Sequence, residues 1–205
     1  MSASDRLNQL LTQSSSEPLT LEQSERFTAY LTLLQKWNAR TNLTAIRDEE
    51  GILSRHFLES ILCARALPAG IQTLLDFGSG AGFPGLPIAI LHSEIAVTLA
   101  ESQNKKAAFL REAIRTLGVQ AHVHSARAEE LKTHFDCVTL RAVDNMQAAI
   151  PAAIQLLAPG GQLTILTTTT DVATLQSLAE HSFHWQPPVP LPANTSRILL
   201  CGTQP

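Results

Sequence analysis

The segment Leu74-Leu75-Asp76-Phe77-Gly78-Ser79-Gly80-Ala81-Gly82-Phe83-Pro84-Gly85 joins a short apolar run to a turn that is dense in glycine. The apolar run has the length and composition of a buried strand. Glycine at alternate positions adopts backbone angles that other residues disfavour, and it leaves no side chain between the main chain and a ligand. The segment therefore predicts a strand followed by a loop on which a nucleotide cofactor lies.

The glycine loop is compatible with more than one cofactor. Residues 80–85 read as G-x-G-x-x-G, the fingerprint of dinucleotide-binding proteins, in which the first glycine directly follows the strand. Here the strand ends at Asp76 and the glycines run D-x-G-x-G-x-G, an order that resembles the S-adenosylmethionine (SAM) loop of class I methyltransferases. Glu101 follows the next apolar run and is placed to accept hydrogen bonds from a ribose with either cofactor. The loop favours SAM and leaves NAD and a purely structural turn open.

From residue 73 onward, short apolar runs alternate with helical patterns, which is typical of βαβ units in a parallel sheet. Ser102 and Gly118 are predicted to cap and to stop the helix between the second and third strands. A turn-rich, proline-containing segment leads to a last, antiparallel strand. We expect strands at residues 73–77, 95–100, 121–124, 135–140, 162–167 and 197–201.

Residues 1–70 read as helices rather than strands. Thr20 and Gln23 have the spacing of a capping box, and a further helix is expected from near Asp48 to a point before Pro68. We therefore predict an α/β fold with an N-terminal helical extension over residues 1–70 and a SAM-binding methyltransferase domain over residues 71–205. The expected domain is a class I SAM-dependent methyltransferase. Its Rossmann-like sheet would have seven mostly parallel strands, one of them antiparallel.

Composition excludes several classes of protein. The 205 residues include 44% hydrophobic side chains, enough for one buried core. Because no apolar stretch reaches the ~18 residues of a membrane span and residues 1–16 are too polar for a secretory signal, we expect a cytoplasmic protein without membrane partners. Cys63, Cys137 and Cys201 lie far apart and outside any C-x-x-C motif. They predict buried free thiols, with neither a disulfide framework nor a metal site.

The charge distribution is uneven along the chain. The formal net charge is -3, which argues against a surface that grips nucleic acid everywhere. However, fourteen of the fifteen lysines and arginines lie within the first 141 residues. Any polyanionic partner is expected to contact that part of the protein, and on charge alone a simply solvated surface is the stronger alternative.

The segment after the fourth predicted strand limits the reaction. Methyltransferases that act on exocyclic base amines usually carry Asn/Asp-Pro-Pro-aromatic there, whereas this chain has Leu140-Arg141-Ala142-Val143. Methylation of a pyrimidine carbon needs a nucleophilic cysteine, and Cys137 falls within a strand. Guanine N7 has a free lone pair and needs orientation rather than a general base. A site without an evident base is compatible with that acceptor, and the residues assign no catalytic group.

Further short motifs are distributed along essentially the whole chain. They are Trp37-Asn38, Asn42 to Asp48, Arg55-His56-Phe57-Leu58-Glu59-Ser60, the glycine loop through Pro87, Glu101-Ser102, Lys105-Lys106 with Phe109-Leu110, Arg127-Ala128-Glu129-Glu130 and Arg141-Ala142. In this combination the chain resembles the RsmG (GidB) family, bacterial enzymes that methylate N7 of a guanosine in 16S ribosomal RNA. The resemblance implies SAM as cofactor and 16S ribosomal RNA, within the small ribosomal subunit, as partner.

The resemblance also implies roles for individual residues. Arg141 would lie over the methionine end of SAM and the target base, Glu101 would take the ribose, and Ala128 and Glu129 would frame the adenine. The implied cofactor-binding residues are Asp76, Gly78, Gly80, Gly82, Phe83, Glu101, Ala128, Glu129 and Arg141. The implied RNA-binding residues are Asn42, Arg55, His56 and Arg127, and for each of them a purely structural bond is an equal alternative.

The chain departs from the family pattern after the fifth strand, where it has Leu166-Thr167-Thr168-Thr169-Thr170 in place of Lys-Gly. Two other functions remain open at the level of the sequence. A nicotinamide-dependent oxidoreductase would use residues 80–85 to bind NAD, although the chain's single tyrosine, Tyr30, lies far away in the helical region. A non-catalytic RNA-binding module would hold SAM without turning it over.

Overall fold

The computed structural model describes residues 1–179, 183–192 and 196–205. Helices fill the region before residue 70, and both predicted helices are present there. The Thr20 hydroxyl accepts a hydrogen bond from the Gln23 backbone amide, and the Gln23 side chain accepts one from the Thr20 amide. The Asp48 carboxylate caps the third helical stretch by accepting from the Gly51 amide. The helical segments are α1 (Ala3–Gln13), α2 (Leu21–Thr41), and a continuous stretch of α3 (Glu49–Gly51), a π-helical segment (Ile52–Leu58) and α4 (Glu59–Arg65).

The rest of the chain alternates strands and helices as predicted. The strands are β1 (Thr73–Phe77), β2 (Ala96–Ala100), β3 (Ala121–His124), β4 (Phe135–Arg141), β5 (Leu157–Thr168), β6 (His184–Trp185), β7 (Val189–Pro190) and β8 (Arg197–Thr203). The helices between them are α5 (Gly85–Leu91), α6 (Asn104–Leu117), α7 (Met146–Gln155) and α8 (Val172–Leu178), with a single 3₁₀ turn at Ala128–Glu130.

The strands form one sheet in the order β3-β2-β1-β4-β5-β8-β6, and β7 also pairs with β8. Strands β1 to β5 are parallel to one another, whereas β8 is antiparallel to its neighbour β5. The short strands β6 and β7 pair with opposite ends of β8, so within the described residues they share one edge position. The sheet therefore has seven positions with one antiparallel strand, as predicted. Its order reverses between β1 and β4, which is where open α/β sheets bind their ligands.

The ends of α6 show one confirmed and one wrong prediction. Gly118 ends the helix in a left-handed conformation with φ of 61°, as expected. Ser102 does not cap its start, because the helix begins at Asn104 and Gln103 is the N-cap without a side-chain bond. The Glu101 carboxylate accepts from the Gln103 amide instead, at 2.7 Å. The residue predicted to bind the ribose therefore also fixes the first turn of α6.

Two large hydrophobic clusters cover the faces of the sheet, and a third, smaller cluster joins Cys63 to Leu166 and Leu199. One joins the helices before residue 70 to α5, α6 and inward side chains of β1 and β2, and it includes Tyr30, Phe57 and Leu74. The other joins β4 and β5 to α7 and α8, and it includes Leu75, the neighbour of Leu74 in β1. This alternation follows from the two-residue period of a strand. The helices before residue 70 thus share a continuous core with the sheet.

The three cysteines are buried free thiols, as predicted. Among the described residues, no three His, Cys, Asp or Glu side chains are grouped so that they could hold a metal ion. In the same part of the chain, no helix combines the length and the apolar character that crossing a bilayer requires.

Candidate functional site

The loop after β1 folds back over the end of β2. The Ser79 amide donates to the Ala100 carbonyl at 2.9 Å, and the Gly80 amide donates to the Glu101 carboxylate at 3.0 Å. Gly78 and Gly80 have φ of 73° and 57°, in the left-handed region where a side chain is strained. A Cβ on Gly78 would also lie 3.3 Å from the Val143 side chain. Glycine is therefore required here by the path of the backbone.

A pocket of about 460 Å³ opens at the carboxyl ends of β1 to β4, within the size range of small-molecule sites. It brings together nine of the predicted site residues, namely Gly78, Gly80, Phe83, Glu101, Ala128, Glu129, Arg141, His56 and Arg127. Thr44 and Lys106, which belong to the quoted motifs, line the pocket as well. Sequence reasoning missed Asp144 and Asn145, which also line it and follow Arg141 by three and four positions. Proximity to the end of β4 was the signal that could have found them.

Four predicted site residues do not line the pocket. Asn42 ends α2 in a left-handed conformation and accepts a hydrogen bond from Arg47. Arg55 is exposed at the surface, and only its carbonyl takes part in the site, as an acceptor for Arg141. Gly82 packs inward, where a Cβ would clash with Leu86. The fourth is Asp76.

Asp76 lies beneath the loop rather than in the pocket. Its side chain is buried, with one carboxylate oxygen accepting from the Gly85 amide at 3.1 Å and the other from the Thr139 hydroxyl at 3.0 Å. Burial raises the pKa of Asp76 to about 6, although hydrogen bonds from Ser79, Thr139 and Gly85 oppose the shift. The carboxylate thus holds the start of α5 against β4, and its effect on a ligand is indirect.

Glu101 faces the pocket from the end of β2 and is 7% exposed. One of its oxygens accepts from the Gly80 amide and the other from the Gln103 amide. Both bonds use main-chain donors, so the side-chain position is fixed by the glycine loop and by α6. Each carboxylate oxygen has a second lone pair, which leaves Glu101 able to accept a further hydrogen bond from a ligand hydroxyl.

Arg141 closes β4 and is held by the helical segment before residue 70. Its guanidinium donates to the Glu59 carboxylate at 3.1 Å, to the Ser60 hydroxyl at 3.3 Å and to the Arg55 carbonyl at 2.5 Å. Arg197, in β8, donates to the same Glu59 oxygen at 3.1 Å. Burial lowers the pKa of Arg141 to about 10, against the opposing effect of Glu59, so it remains protonated at neutral pH.

One carboxylate therefore serves two guanidinium groups, in a cluster where Glu59 and Arg141 are nearly inaccessible to solvent. The sequence analysis placed Glu59 in a motif and Arg197 at the start of a strand, and it gave neither residue a role. A carboxylate inside the apolar run from Phe57 to Ile61 is the signal that could have marked Glu59, because buried acids are rarely unpaired. Its partners are too distant in the sequence to be inferred.

His56 and Phe83 meet at the end of the pocket near Arg141. The two rings stack with centroids 4.5 Å apart and planes 12° from parallel. The His56 Nε2 atom is 2.7 Å from the Thr44 hydroxyl, and its Nδ1 atom is buried with no hydrogen-bond partner among the described residues. Burial lowers the pKa of His56 to about 3, reinforced by the positive charges of Arg141 and two other arginines. The imidazole is therefore neutral near neutral pH.

Phe83 is held from below by Tyr30. The rings of Phe83 and Tyr30 stack with centroids 5.3 Å apart, and the Arg141 guanidinium carbon lies 6.0 Å from the Phe83 centroid. The fully buried Tyr30 hydroxyl donates to the Ala81 carbonyl at 2.5 Å, which ties α2 to the glycine loop. Burial raises the pKa of Tyr30 well above 10. The hydroxyl is thus a permanent donor rather than an acid.

Comparison with known proteins places the whole arrangement in a family. The family model described as rRNA small subunit methyltransferase G (GidB) matches residues 23–186. Ribosomal RNA small subunit methyltransferase G of Roseiflexus castenholzii is 42% identical over 165 residues, covering 76% of this chain and 70% of that protein. The protein of the same name from Roseiflexus sp. (strain RS-1) is 49% identical over 132 residues, covering 61% of this chain but only 56% of that protein.

Solved structures share the fold at low sequence identity. A SAM-dependent O-methyltransferase from Thermotoga maritima superposes with a TM-score of 0.60 at 15% identity, covering 84% of this chain and 71% of that one. A ribosomal protein L11 methylase from Lactobacillus delbrueckii subsp. bulgaricus gives 0.59 at 14% identity, covering 77% and 79%. These likenesses establish the class I methyltransferase fold. Together with the family match over most of its length, they show that the chain belongs to the rRNA small subunit methyltransferase G (GidB) family.

Proposed function

We propose that this protein transfers the methyl group of SAM to N7 of a guanosine in 16S ribosomal RNA, acting in the cytoplasm on the small ribosomal subunit or its RNA. Membership of the rRNA small subunit methyltransferase G family supports the class of reaction. The structural observation that carries the choice of N7 is the character of the packed side chains where the pocket meets Arg141. Phe83, His56 and Arg141 offer no group that takes up a proton near neutral pH.

The pocket fits a cofactor made of an adenosine and an amino-acid moiety. Gly78 and Gly80 expose main chain at its floor, and the Glu101 carboxylate at the end of β2 would accept from the ribose hydroxyls. Ala128 and Glu129, after β3, would frame the adenine. β4 lies on the side of β1 opposite to β2 and β3, so the methionine end of the cofactor would lie toward Arg141, at the end of β4. Asp76 and Gly82 do not line the pocket and would support this surface from beneath.

The reaction needs placement more than acid–base chemistry. When bound, SAM supplies a methyl group on a positively charged sulfur. The N7 lone pair forms the new bond to carbon while the electrons of the sulfur–carbon bond stay on sulfur, so no proton moves in this step. The positive charge passes from sulfur to the base. The task of the protein is to hold N7 in line with the methyl group, which the fixed side chains around Arg141 are suited to do.

RNA contacts are proposed at the basic rim of the pocket. Lys106, from α6, and Arg127, before the 3₁₀ turn, both line the opening. Arg55 is exposed next to the segment that anchors Arg141, outside the pocket itself. These positions suit contacts with phosphate groups flanking the target nucleotide, because phosphate contacts position a nucleic acid without reading its bases. Asn42 does not line the pocket either, and its bond to Arg47 supports a role in shaping the loop instead.

Two alternatives have less support. For a NAD-dependent oxidoreductase that uses a Tyr-Lys pair, the chain's one tyrosine would have to reach the pocket, but Tyr30 is fully buried and its hydroxyl is bonded to the Ala81 carbonyl. The family of the chain also counts against this function. A non-catalytic module that keeps SAM for structure predicts binding without turnover.

We further propose that residues 1–70 act as the helical extension and residues 71–205 as the SAM-binding domain.

Methyl transfer from labelled SAM tests the proposal. The acceptors are small ribosomal subunits that lack the modification and, in parallel, RNA deproteinised from the same subunits, followed by nucleoside analysis. The proposal predicts label in 7-methylguanosine with at least one acceptor. Label in another nucleoside, or SAM binding without transfer to either acceptor, would contradict it, and the second result would favour the non-catalytic module.

A matched pair of variants separates the pocket from general damage. Lys106→Ala removes a basic side chain at the rim, whereas Lys132→Ala removes one outside the pocket lining, in the loop between the 3₁₀ turn and β4. Only the first should raise KM for the RNA acceptor, and neither should change SAM affinity by more than about twofold. Equal effects of both substitutions would assign RNA binding to overall charge.

A further inference from the structure

The half-buried imidazole of His56 lines the pocket, but the proposed reaction gives it no contact with SAM or with the acceptor. Its ring is part of a series of stacked aromatic rings that leads from the core to the pocket. Tyr30 stacks on Phe83 with centroids 5.3 Å apart, and Phe83 stacks on His56 at 4.5 Å. Tyr30 is also within stacking distance of Phe57, at 5.2 Å. Because Tyr30 and Phe83 are buried, the position of the His56 ring is fixed from below.

The surface that His56 presents to the pocket is carbon. Its Nε2 atom is engaged with the Thr44 hydroxyl, and its Nδ1 atom is buried. Phe83 covers part of the ring, yet His56 still lines the pocket. What remains accessible is therefore part of the π system and ring edge rather than a ring nitrogen. Such a surface suits a planar ring stacked on it and does not suit hydrogen bonding or proton transfer.

The position of His56 associates it with the acceptor rather than with the cofactor nucleoside. Its neighbour Arg55 accepts a hydrogen bond from Arg141 through its carbonyl, which places His56 at the β4 end of the pocket. The residues suited to adenosine, Glu101 and Ala128, follow β2 and β3 at the opposite end. A planar ring against His56 thus lies where the methyl group would be transferred.

We propose that His56 is a stacking platform for the target guanine, holding the base turned out of the RNA so that its N7 faces the methyl group. The proposal rests on the proposed function, because it requires a guanine acceptor. Enzymes that modify a base commonly extrude it and hold it by stacking on aromatic or apolar side chains. Here the series Tyr30–Phe83–His56 supplies a rigid support for that contact.

The electrostatics of the platform agree with the reaction. The base acquires a positive charge as N7 is methylated, and a cation is attracted to the face of a neutral aromatic ring. A protonated imidazole would repel it. Burial, and then the charges of Arg141, Arg55 and Arg197, lower the pKa of His56 and keep the ring uncharged. The Glu59 carboxylate pairs with two of these guanidinium groups, those of Arg141 and Arg197.

Three substitutions at this position test the platform. His56→Phe keeps a flat ring and removes both nitrogens, His56→Gln keeps polar atoms and removes the ring, and His56→Leu keeps apolar bulk without a π face. Each variant is assayed for KM and kcat with unmodified small subunits, and for SAM affinity by calorimetry. Thermal unfolding establishes that each variant is folded, and the Phe and Gln variants alone are sufficient for the comparison.

The platform predicts that His56→Phe stays within about threefold of wild type, whereas His56→Gln and His56→Leu lose about 10- to 100-fold in kcat/KM for the RNA acceptor. SAM affinity should be unchanged in all three. Activity retained by His56→Gln and lost by His56→Phe would overturn the platform in favour of a role for the nitrogens. Full activity in both His56→Gln and His56→Leu would also overturn it.

Failure of the proposed function is distinguishable. If the wild-type protein methylates a nucleoside other than guanosine, or methylates neither acceptor, both the proposed function and the identity of the stacked base are overturned. If the wild-type protein produces 7-methylguanosine and the three variants do not follow the order above, only the platform is overturned. A loss of SAM affinity in His56→Gln would place the cofactor, and not the guanine, against this ring.

Discussion

Replacement of Asp76 by asparagine should stabilise the protein at neutral pH, although the residue lies beneath the cofactor loop. The carboxylate is buried and accepts from the Gly85 amide and the Thr139 hydroxyl. An asparagine of nearly the same shape can accept from Gly85 through its oxygen and donate to the Thr139 oxygen through its nitrogen. Thr139 can then donate to the Leu75 carbonyl, which lies 3.4 Å away. The substitution therefore keeps both hydrogen-bond partners of the side chain and removes a buried charge.

The magnitude follows from the pKa of Asp76, which burial raises from 3.8 to about 6. Between these two values the folded protein binds more protons at this side chain than the unfolded chain does. Stability contributed by the protonated carboxyl is therefore complete below about pH 4 and is lost as pH rises through about 6. The difference between these two pKa values, about 2, corresponds to about 3 kcal/mol. Asp76→Asn removes this loss, so its advantage over wild type should grow by about 3 kcal/mol across the same range.

The assay is equilibrium unfolding in urea from about pH 4 to about pH 8, with both proteins measured at each pH. The comparison between them is essential because His56 acts in the opposite direction. Its pKa is lowered from 6.5 to about 3, so the unfolded chain binds the extra proton and stability rises with pH through this interval. His56 is common to both proteins and cancels in the difference. A difference in unfolding free energy that stays constant with pH would refute the reasoning about Asp76.

Three further predictions concern single residues of the site. Gly78→Ala and Gly118→Ala place a side chain at φ of 73° and 61° and should each destabilise the fold by about 1–2 kcal/mol, but only Gly78→Ala should weaken SAM binding, measured by calorimetry. Equal SAM affinity in the two variants would remove Gly78 from the cofactor site. Glu59→Gln leaves two arginines around a neutral group and should lower the unfolding free energy by about 3–5 kcal/mol in urea titrations, with a smaller loss for Glu59→Asp. Glutamine as well tolerated as aspartate would show that the shared charge is unimportant. Glu101→Ala should weaken SAM binding about 10- to 100-fold, since it removes both a ligand acceptor and the support of the Gly80 amide; an unchanged Kd would contradict this.

The sheet was predictable because its information is local. The run from Thr73 to Phe77 is apolar, ends in a carboxylate and is followed by glycines, and each of these features has a physical meaning within a few residues. The same holds for the capping box at Thr20 and Gln23. By contrast, the start of α6 is preceded by a bond from the Gln103 amide to Glu101, whose side chain also accepts from Gly80 across the loop. Ser102 has the better intrinsic preference for a cap, and a tertiary contact overrides it.

The roles of polar residues were less predictable than their importance. Asp76 was singled out as a cofactor-binding residue, but the residue type and its place after a strand do not reveal whether the side chain turns up into the pocket or down onto α5. The bond from the Gly85 amide turns the Asp76 carboxylate toward α5. Glycine permits this close contact, because a Cβ at position 85 would lie 2.7 Å from the Asp76 carboxylate. Two glycines of the motif thus serve different purposes. Gly78 lines the pocket, and Gly85 lets the carboxylate cap the helix.

The helices before residue 70 matter to the site for a reason that no local pattern contains. Glu59 lies 82 residues from Arg141 and 138 residues from Arg197, and its single carboxylate fixes both guanidinium groups. Tyr30, in α2, is bonded to the glycine loop 51 residues later. An arginine at the end of a strand is otherwise a long, mobile cation, whereas Arg141 has three acceptors on one helical stretch and therefore a defined position. The helical region thus positions the glycine loop, Arg141 and the imidazole of His56. The sheet alone would form the floor of the pocket without the end at which methyl transfer is proposed.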